Sequence, residues 1–206
     1  MSRCLALFLL LLFPLTAEAG LFNVQSLTLP NGLQVVVVEN HRAPVVAHML
    51  WIKAGAADDP YGKSGLAHYL EHLMFKGTKK FPQGQYSARI ARAGGTENAF
   101  TTADYTAFHA TVAKDKLPLI MELESDRLAN LIITPEAAKP ELAVILDERR
   151  QRIDNDPYSP FTLRLETLLH PRHPYGTPVI GWQGEMETFT AQDALNFYRR
   201  WYSPSN

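Results

Sequence analysis

The spacing of hydrophobic and polar positions changes several times along the chain, and each change predicts an element. From Val24 to Leu29 apolar and polar residues alternate moderately. Pro30-Asn31-Gly32 supplies a turn, and Leu33 to Glu39, with four successive valines, reads as the return strand of a hairpin. Val45 to Lys53 is a third strand, and Ala54 to Lys63 a loop. The period then lengthens. Ser64 can cap a helix running to about Phe75, with Gly77 as its stop, and Gln85 to Ala93 reads as a short helix ended by Gly94-Gly95. Glu97 to Phe100 and Tyr105 to Val112 are rich in aromatic and β-branched residues, which suits strands. Lys114 to Leu131 carries apolar residues at helical spacing, and Thr134-Pro135 opens a helix reaching about Arg152. Phe161 to Leu169 and Ala191 to Tyr202 complete the helical set. Strands, a helix, strands and then helices predict an α+β fold: a largely antiparallel sheet with helices packed on one face.

The start of the chain follows another pattern. Arg3 precedes a run of twelve apolar residues, Cys4 to Leu15, and Ala17-Glu18-Ala19 offers small residues where a signal peptidase reads. Residues 1–19 are therefore expected to be a signal peptide, and residues 20–206 the mature domain. The run is too short for about 30 Å of hydrocarbon, so no stable membrane anchor is expected. Export to the periplasm or the outside follows. Cleavage would remove Cys4, the only cysteine, so a metal site in the mature protein must be built from His, Asp and Glu. The 206 residues are 46% hydrophobic and 20% charged, as in a globular protein with a core. The formal net charge of −1 leaves no basic excess to neutralise phosphates, which argues against a nucleic-acid partner.

The chemistry concentrates in His68-Tyr69-Leu70-Glu71-His72. Two histidines four apart on a helix project within roughly 40° of each other, and Glu71 falls on the same flank. Two imidazoles can grip one metal while the carboxylate reaches a water at the open position. A tetrahedral catalytic zinc needs a third protein ligand. Glu141 and Glu148, seven apart, share one face of the later helix, so one can bind metal while the other orients a ligand imidazole. Asp147, beside Glu148, competes for the ligand role. His41, His48, His109, His170 and His173 have no partner at ligand spacing, and structural or surface roles are expected for them.

The stretch from Gly65 to Thr78 resembles the metal helix of the pitrilysin/insulinase/mitochondrial processing peptidase family, zinc metallopeptidases whose H-x-x-E-H order inverts the commoner one. Gly94-Gly95 followed by Asn98-Ala99-Phe100-Thr101 is similar to its active-site strand, Glu141 to Glu148 to its second metal helix, and His173-Pro174-Tyr175-Gly176 to a later loop. The resemblance runs from about Leu27 to the last residue. It implies that His68, His72 and Glu148 are zinc ligands, that Glu71 is the general base, and that Glu141 is the carboxylate behind a ligand. It also implies that Asn98 and Ala99 lie on a strand that binds an extended peptide by strand addition. In the family the position reached at Asn206 precedes a further strand and a second, related domain. The domain is therefore expected to be incomplete at its C-terminus, and a second homologous domain or subunit to complete the chamber.

Three functions compete. A zinc-dependent metalloendopeptidase acting on extended peptides uses every residue of the motif. A non-catalytic zinc-binding or partner subunit of a peptidase complex would not need Glu71. A metal-storage module would use more histidines and a closed coordination sphere.

Overall fold

The computed structural model describes residues 23–206, so the expected leader lies outside the described residues. Strands β1 (Val24–Thr28) and β2 (Gln34–Val38) form an antiparallel hairpin. Its turn follows the sequence closely: Gly32 takes a positive φ of 87°, and the Leu33 amide donates to Asn31 Oδ1. Strands β3 (Val45–Ile52), β4 (Thr96–Thr101) and β5 (Thr106–Ala113) form a second antiparallel sheet in the order β3-β5-β4. All pairing is antiparallel, as expected, but the described strands form two sheets rather than one.

The second sheet is one-sided. Leu50, Ile52, Phe108, Ala110, Val112 and Ala99 project from one face into the core, while Val45, Met49, Trp51 and Phe100 on the other face are exposed. The register makes this consistent, because Leu50 and Ala99 both pair with Phe108. Helices α1 (Leu66–Leu73), α2 (Gln85–Arg92) and α3 (Leu117–Asn130) cover the inner face. Helix α4 (Pro135–Arg149) and α7 (Ala191–Trp201) pack on α1 from the far side. Between them come α5 (Ser159–Leu169), which buries none of its residues, and the short α6 (Gln183–Met186).

Three local expectations are corrected. Ser64 does not cap α1: its hydroxyl accepts from the Trp182 amide, and its own amide donates to Glu185. The cap is Gly65 at φ 89°, and the Asp59 carboxylate accepts from the Gly65 and Ala67 amides at 2.7 and 2.8 Å. A carboxylate at a helix N-terminus meets free amides and a favourable dipole, so Asp59 does the work assigned to Ser64 from within the preceding loop. Next, the helix expected to reach Arg152 is α-helical only to Arg149, and a π-helical turn, Arg150–Asp154, follows. Lastly, the segment read wholly as loop contains a 3₁₀ turn, Ala56–Asp58. Gly77 does stop the turns after α1, at φ 98°.

The core lies around α1. Leu66, Ala67, Tyr69, Leu70 and Leu73 are almost completely buried. The Tyr69 hydroxyl donates to the Ala138 carbonyl at 2.6 Å and its ring stacks on Phe189. That hydrogen bond fixes the spacing of α1 and α4, the two helices that carry the motif residues. A second cluster around Tyr86, Ile90, Ile120 and Leu123 encloses an ion pair. There Arg127 bonds Glu124, lies over the rings of Phe75, Tyr86 and Phe108, and Glu124 also accepts from the Tyr86 hydroxyl. No helix among the described residues is long and apolar enough to cross a membrane.

Candidate metal centre

Helix α1 has one face in the core and one in a cleft. The cleft, about 710 Å³ in volume, is lined by His68, Glu71 and His72, by the edge of β4, by Val144, Asp147 and Glu148 of α4, by the π-helical turn, and by Pro178-Val179-Ile180. His68 and His72 rings meet edge to face with centroids 4.8 Å apart. Glu148 Oε2 lies 3.4 Å from His72 Nε2 and 3.7 Å from His68 Nε2. Ligands bound at 2.0–2.1 Å to one tetrahedral zinc would stand roughly 3.3 Å apart. The Glu148 oxygen stands at about that spacing from both imidazole nitrogens, too long for good hydrogen bonds, and the three donor atoms all lie within 4.8 Å of one another. The donor set, two imidazole nitrogens and one carboxylate oxygen, is also the type zinc takes. Among the described residues this is the cluster that brings three metal-ligating side chains together.

The competing carboxylates fall into place by geometry. Glu141 Oε1 lies 2.7 Å from His72 Nδ1, on the far side of the ring from Glu148, and Glu141 also pairs with Lys76. It therefore orients His72 and leaves Nε2 to face the cleft. Asp147 accepts from Arg150 and Gln151, which draws it away from the imidazoles. Glu71 sits one helical turn along from His68 and accepts from the Thr101 hydroxyl at 2.5 Å through Oε2. The structure thus brings together His68, Glu71, His72, Glu141 and Glu148, and places Asn98 and Ala99 on the cleft wall.

Strand β4 pairs with β5 on one side only, so its other edge is open among the described residues. The Asn98 side chain accepts from the neighbouring Ala99 amide at 2.8 Å. The remaining histidines stay away from the cleft, as expected. His41 is exposed near Glu39, and His170 and His173 group with Tyr175 in a surface turn.

Burial sets most of the electrostatics. It pushes His68 down to about 3, helped by the neighbouring His72 and by Arg152, so this imidazole is neutral near pH 7. Burial acts the same way on His72, but the hydrogen bond and charge of Glu141 more than offset it and raise the net value. Burial raises the Glu71 carboxyl against the opposing hydrogen bond from Thr101, which makes it a better proton acceptor than an exposed carboxylate. Glu141 is lowered: burial opposes this, and the hydrogen bonds from His72 and Lys76 prevail.

Three site residues went unassigned in the sequence. Lys76 lies four after His72 and Arg152 four after Glu148, so helical spacing alone could have flagged both. Thr101 lies two after Ala99, on the same face of β4.

The profile of the insulinase family, peptidase family M16, matches residues 34–178. This chain belongs to that family. Its similarity to the zinc protease PqqE of Helicobacter pylori is 34% identity over 192 residues, covering 92% of this chain and 43% of that protein. It is 28% identical over 183 residues to the probable mitochondrial-processing peptidase subunit beta of Schizosaccharomyces pombe, with 89% and 40% covered. A crystal structure of a protease from Helicobacter pylori superposes with a TM-score of 0.87 at 33% identity, covering 90% of this chain and 45% of that one. Pitrilysin does so with a TM-score of 0.76 at 26% identity, covering 91% and 20%. The chain therefore spans under half the length of these relatives. Membership of the insulinase family, with relatives named zinc proteases, makes zinc the metal that suits its His-His-Glu group.

Proposed function

We propose that this chain is the zinc-binding part of an exported metalloendopeptidase that hydrolyses extended peptides. The observation that carries the proposal is the convergence of His68 Nε2, His72 Nε2 and Glu148 Oε2 beside Glu71, in one cleft with the open edge of β4. His68, His72 and Glu148 would hold the zinc, and Glu141 would keep His72 in the tautomer that presents Nε2. A zinc ion held there supplies Lewis acidity, polarising a peptide carbonyl and acidifying a water.

The chain's own residues account for the rest. Glu71 accepts a proton from water at the oxygen that Thr101 leaves free, and later returns it to the departing amine. An extended peptide adds to the edge of β4 and takes the Ala99 amide over from Asn98. Main-chain bonds of this kind hold many sequences, and Val144, Ile153 and Val179 offer apolar wall beside them. The oriented Glu71 favours catalysis over the reading as a non-catalytic partner subunit. Export rests on the leader pattern at residues 1–19. The relatives' greater length supports a second homologous half, in the same chain or another, that completes the chamber.

The test is cleavage of a fluorogenic extended peptide by this chain, alone and mixed with the C-terminal half of the Helicobacter pylori relative. The mixture is expected to cleave in a chelator-sensitive manner and the chain alone poorly. Glu71→Gln should cut turnover about 10²- to 10⁴-fold while retaining zinc, and His68→Ala should lose both. Near-normal turnover in Glu71→Gln sinks the mechanism. Robust chelator-sensitive turnover by the chain alone sinks the requirement for a second half.

A further inference from the structure

Arg152 stands at the mouth of the cleft, in the π-helical turn that follows α4. One guanidinium nitrogen lies 3.0 Å from Glu148 Oε1. The other oxygen, Oε2, is the one that faces both imidazoles. The two oxygens of one carboxylate are therefore divided between two tasks. Among the described residues that line the cleft, Arg152 is also the one Lys or Arg. Its neighbours in the turn are engaged elsewhere, because Arg150 and Gln151 both bond Asp147.

We propose that Arg152 is a positioning residue for Glu148, making that carboxylate present a single oxygen to the metal. The inference rests on the assignment of His68, His72 and Glu148 as zinc ligands. A glutamate rotates freely about its last torsion, and a carboxylate can bind a cation through one oxygen or two. A cation on Oε1 draws that oxygen's lone pairs away and fixes the plane of the group. The single-oxygen mode keeps a coordination position for water, and a site that cleaves peptides needs that position. The two-oxygen mode would add a ligand atom and crowd that position. Lys76 has the matching relation to Glu141, so each carboxylate of α4 that faces an imidazole also carries a cation.

Cobalt(II) tests this without any substrate. Four-coordinate cobalt absorbs visible light strongly, and the bands weaken as coordination rises. The chain, its Arg152→Ala variant and its Arg152→Lys variant are each titrated with cobalt, and zinc affinity is read by competition with a chromophoric chelator. The Arg152 side chain is 71% exposed, so its removal leaves the packing intact. The parent is expected to bind one cobalt with intense bands. Arg152→Ala is expected to bind with clearly weaker bands and about 10- to 100-fold lower zinc affinity. Arg152→Lys, which keeps a cation within reach, should restore the parent spectrum. Parent-like bands in Arg152→Ala overturn the proposal whatever its affinity. A parent that takes up no cobalt overturns the ligand assignment as well, so the two failures are distinguishable.

Discussion

At the scale of single residues, burial lowers two neighbouring histidines alike, and a single carboxylate reverses the outcome for one of them. His68 and His72 are one helical turn apart, yet His68 is held neutral while the Glu141 carboxylate favours the charged form of His72. His48 shows the burial effect away from the cleft. Its Nδ1 is buried on β3 without a hydrogen-bond partner among the described residues, and burial lowers its pKa, with Glu124 opposing and Arg127 assisting. A histidine that resists protonation when folded but titrates near 6.5 when unfolded makes stability fall as pH drops through that value. His48→Gln is therefore expected to lose less stability than the parent between pH 7 and pH 5. Urea midpoints at the two pH values check this, and equal losses in the two proteins would refute it.

At the scale of elements, α1 is held where its start meets the loop before α6. Gly65 and Gly181 both take positive φ, at 89° and 94°. A Cβ on Gly65 would lie 2.3 Å from the Ile180 carbonyl oxygen, and one on Gly181 would lie 2.2 Å from the Ser64 oxygen. The two backbones approach so closely that only glycine fits at either place. Gly65→Ala should therefore cost at least about 2 kcal/mol, from left-handed strain and the clash together. Gly62 provides the control, since it too has positive φ, at 75°, but open space around its Cβ position. Gly62→Ala should cost only about 1 kcal/mol, the backbone part alone. Chemical denaturation of both variants compares the two numbers, and equal costs would mean that the close approach does not constrain the chain. The π-helical turn after α4 belongs to this scale too. Apolar spacing gave no warning of it, because one extra residue per turn leaves no mark on a sequence whose polar side faces a cleft.

At the scale of the whole molecule, apolar side chains lie exposed on both sheets among the described residues. Among the described residues, the β1–β2 hairpin leaves Val24, Leu27, Val36, Val37 and Val38 exposed, and it shares no ladder with the second sheet. The Lys53 amide, just beyond β3, donates to the Asn206 carbonyl at 3.2 Å. Trp51, Phe100 and Tyr105 cluster on the outer face of that sheet. Zinc would link three side chains from two helices, so it should stabilise the fold by mass action. At free zinc about 1,000 times Kd the gain is about 4 kcal/mol, which for a chain of this size raises Tm on the order of 10 °C. Differential scanning fluorimetry with zinc and then with excess chelator reads the shift and its reversal. A His68→Ala variant should show neither, and an equal shift in that variant would place the metal elsewhere.

The sequence by itself determined the features that depend on neighbours along the chain. The spacing of His68, Glu71 and His72 puts all three on one face of a helix through helical rotation alone, and Pro30-Asn31-Gly32 makes its turn in the same local way. It also carried the family, because the match from Gly65 to Thr78 is contiguous. Helical spacing left Glu141, Asp147 and Glu148 open, and the family resemblance favoured Glu148. The tertiary structure supplies the arrangement, with Glu148 toward both Nε2 atoms, Glu141 behind His72 Nδ1 and Asp147 held by Arg150 and Gln151. That depends on how α4 crosses α1, and a buried contact such as Tyr69 to Ala138, between residues far apart in sequence, sets the crossing. The cap of α1 moved from Ser64 to Asp59 for a similar reason: a side chain brought in by a folded loop reached the free amides, while Ser64 was drawn to Trp182. Arg152 was visible as a spacing and invisible as a role, since only the fold shows which oxygen of Glu148 it occupies.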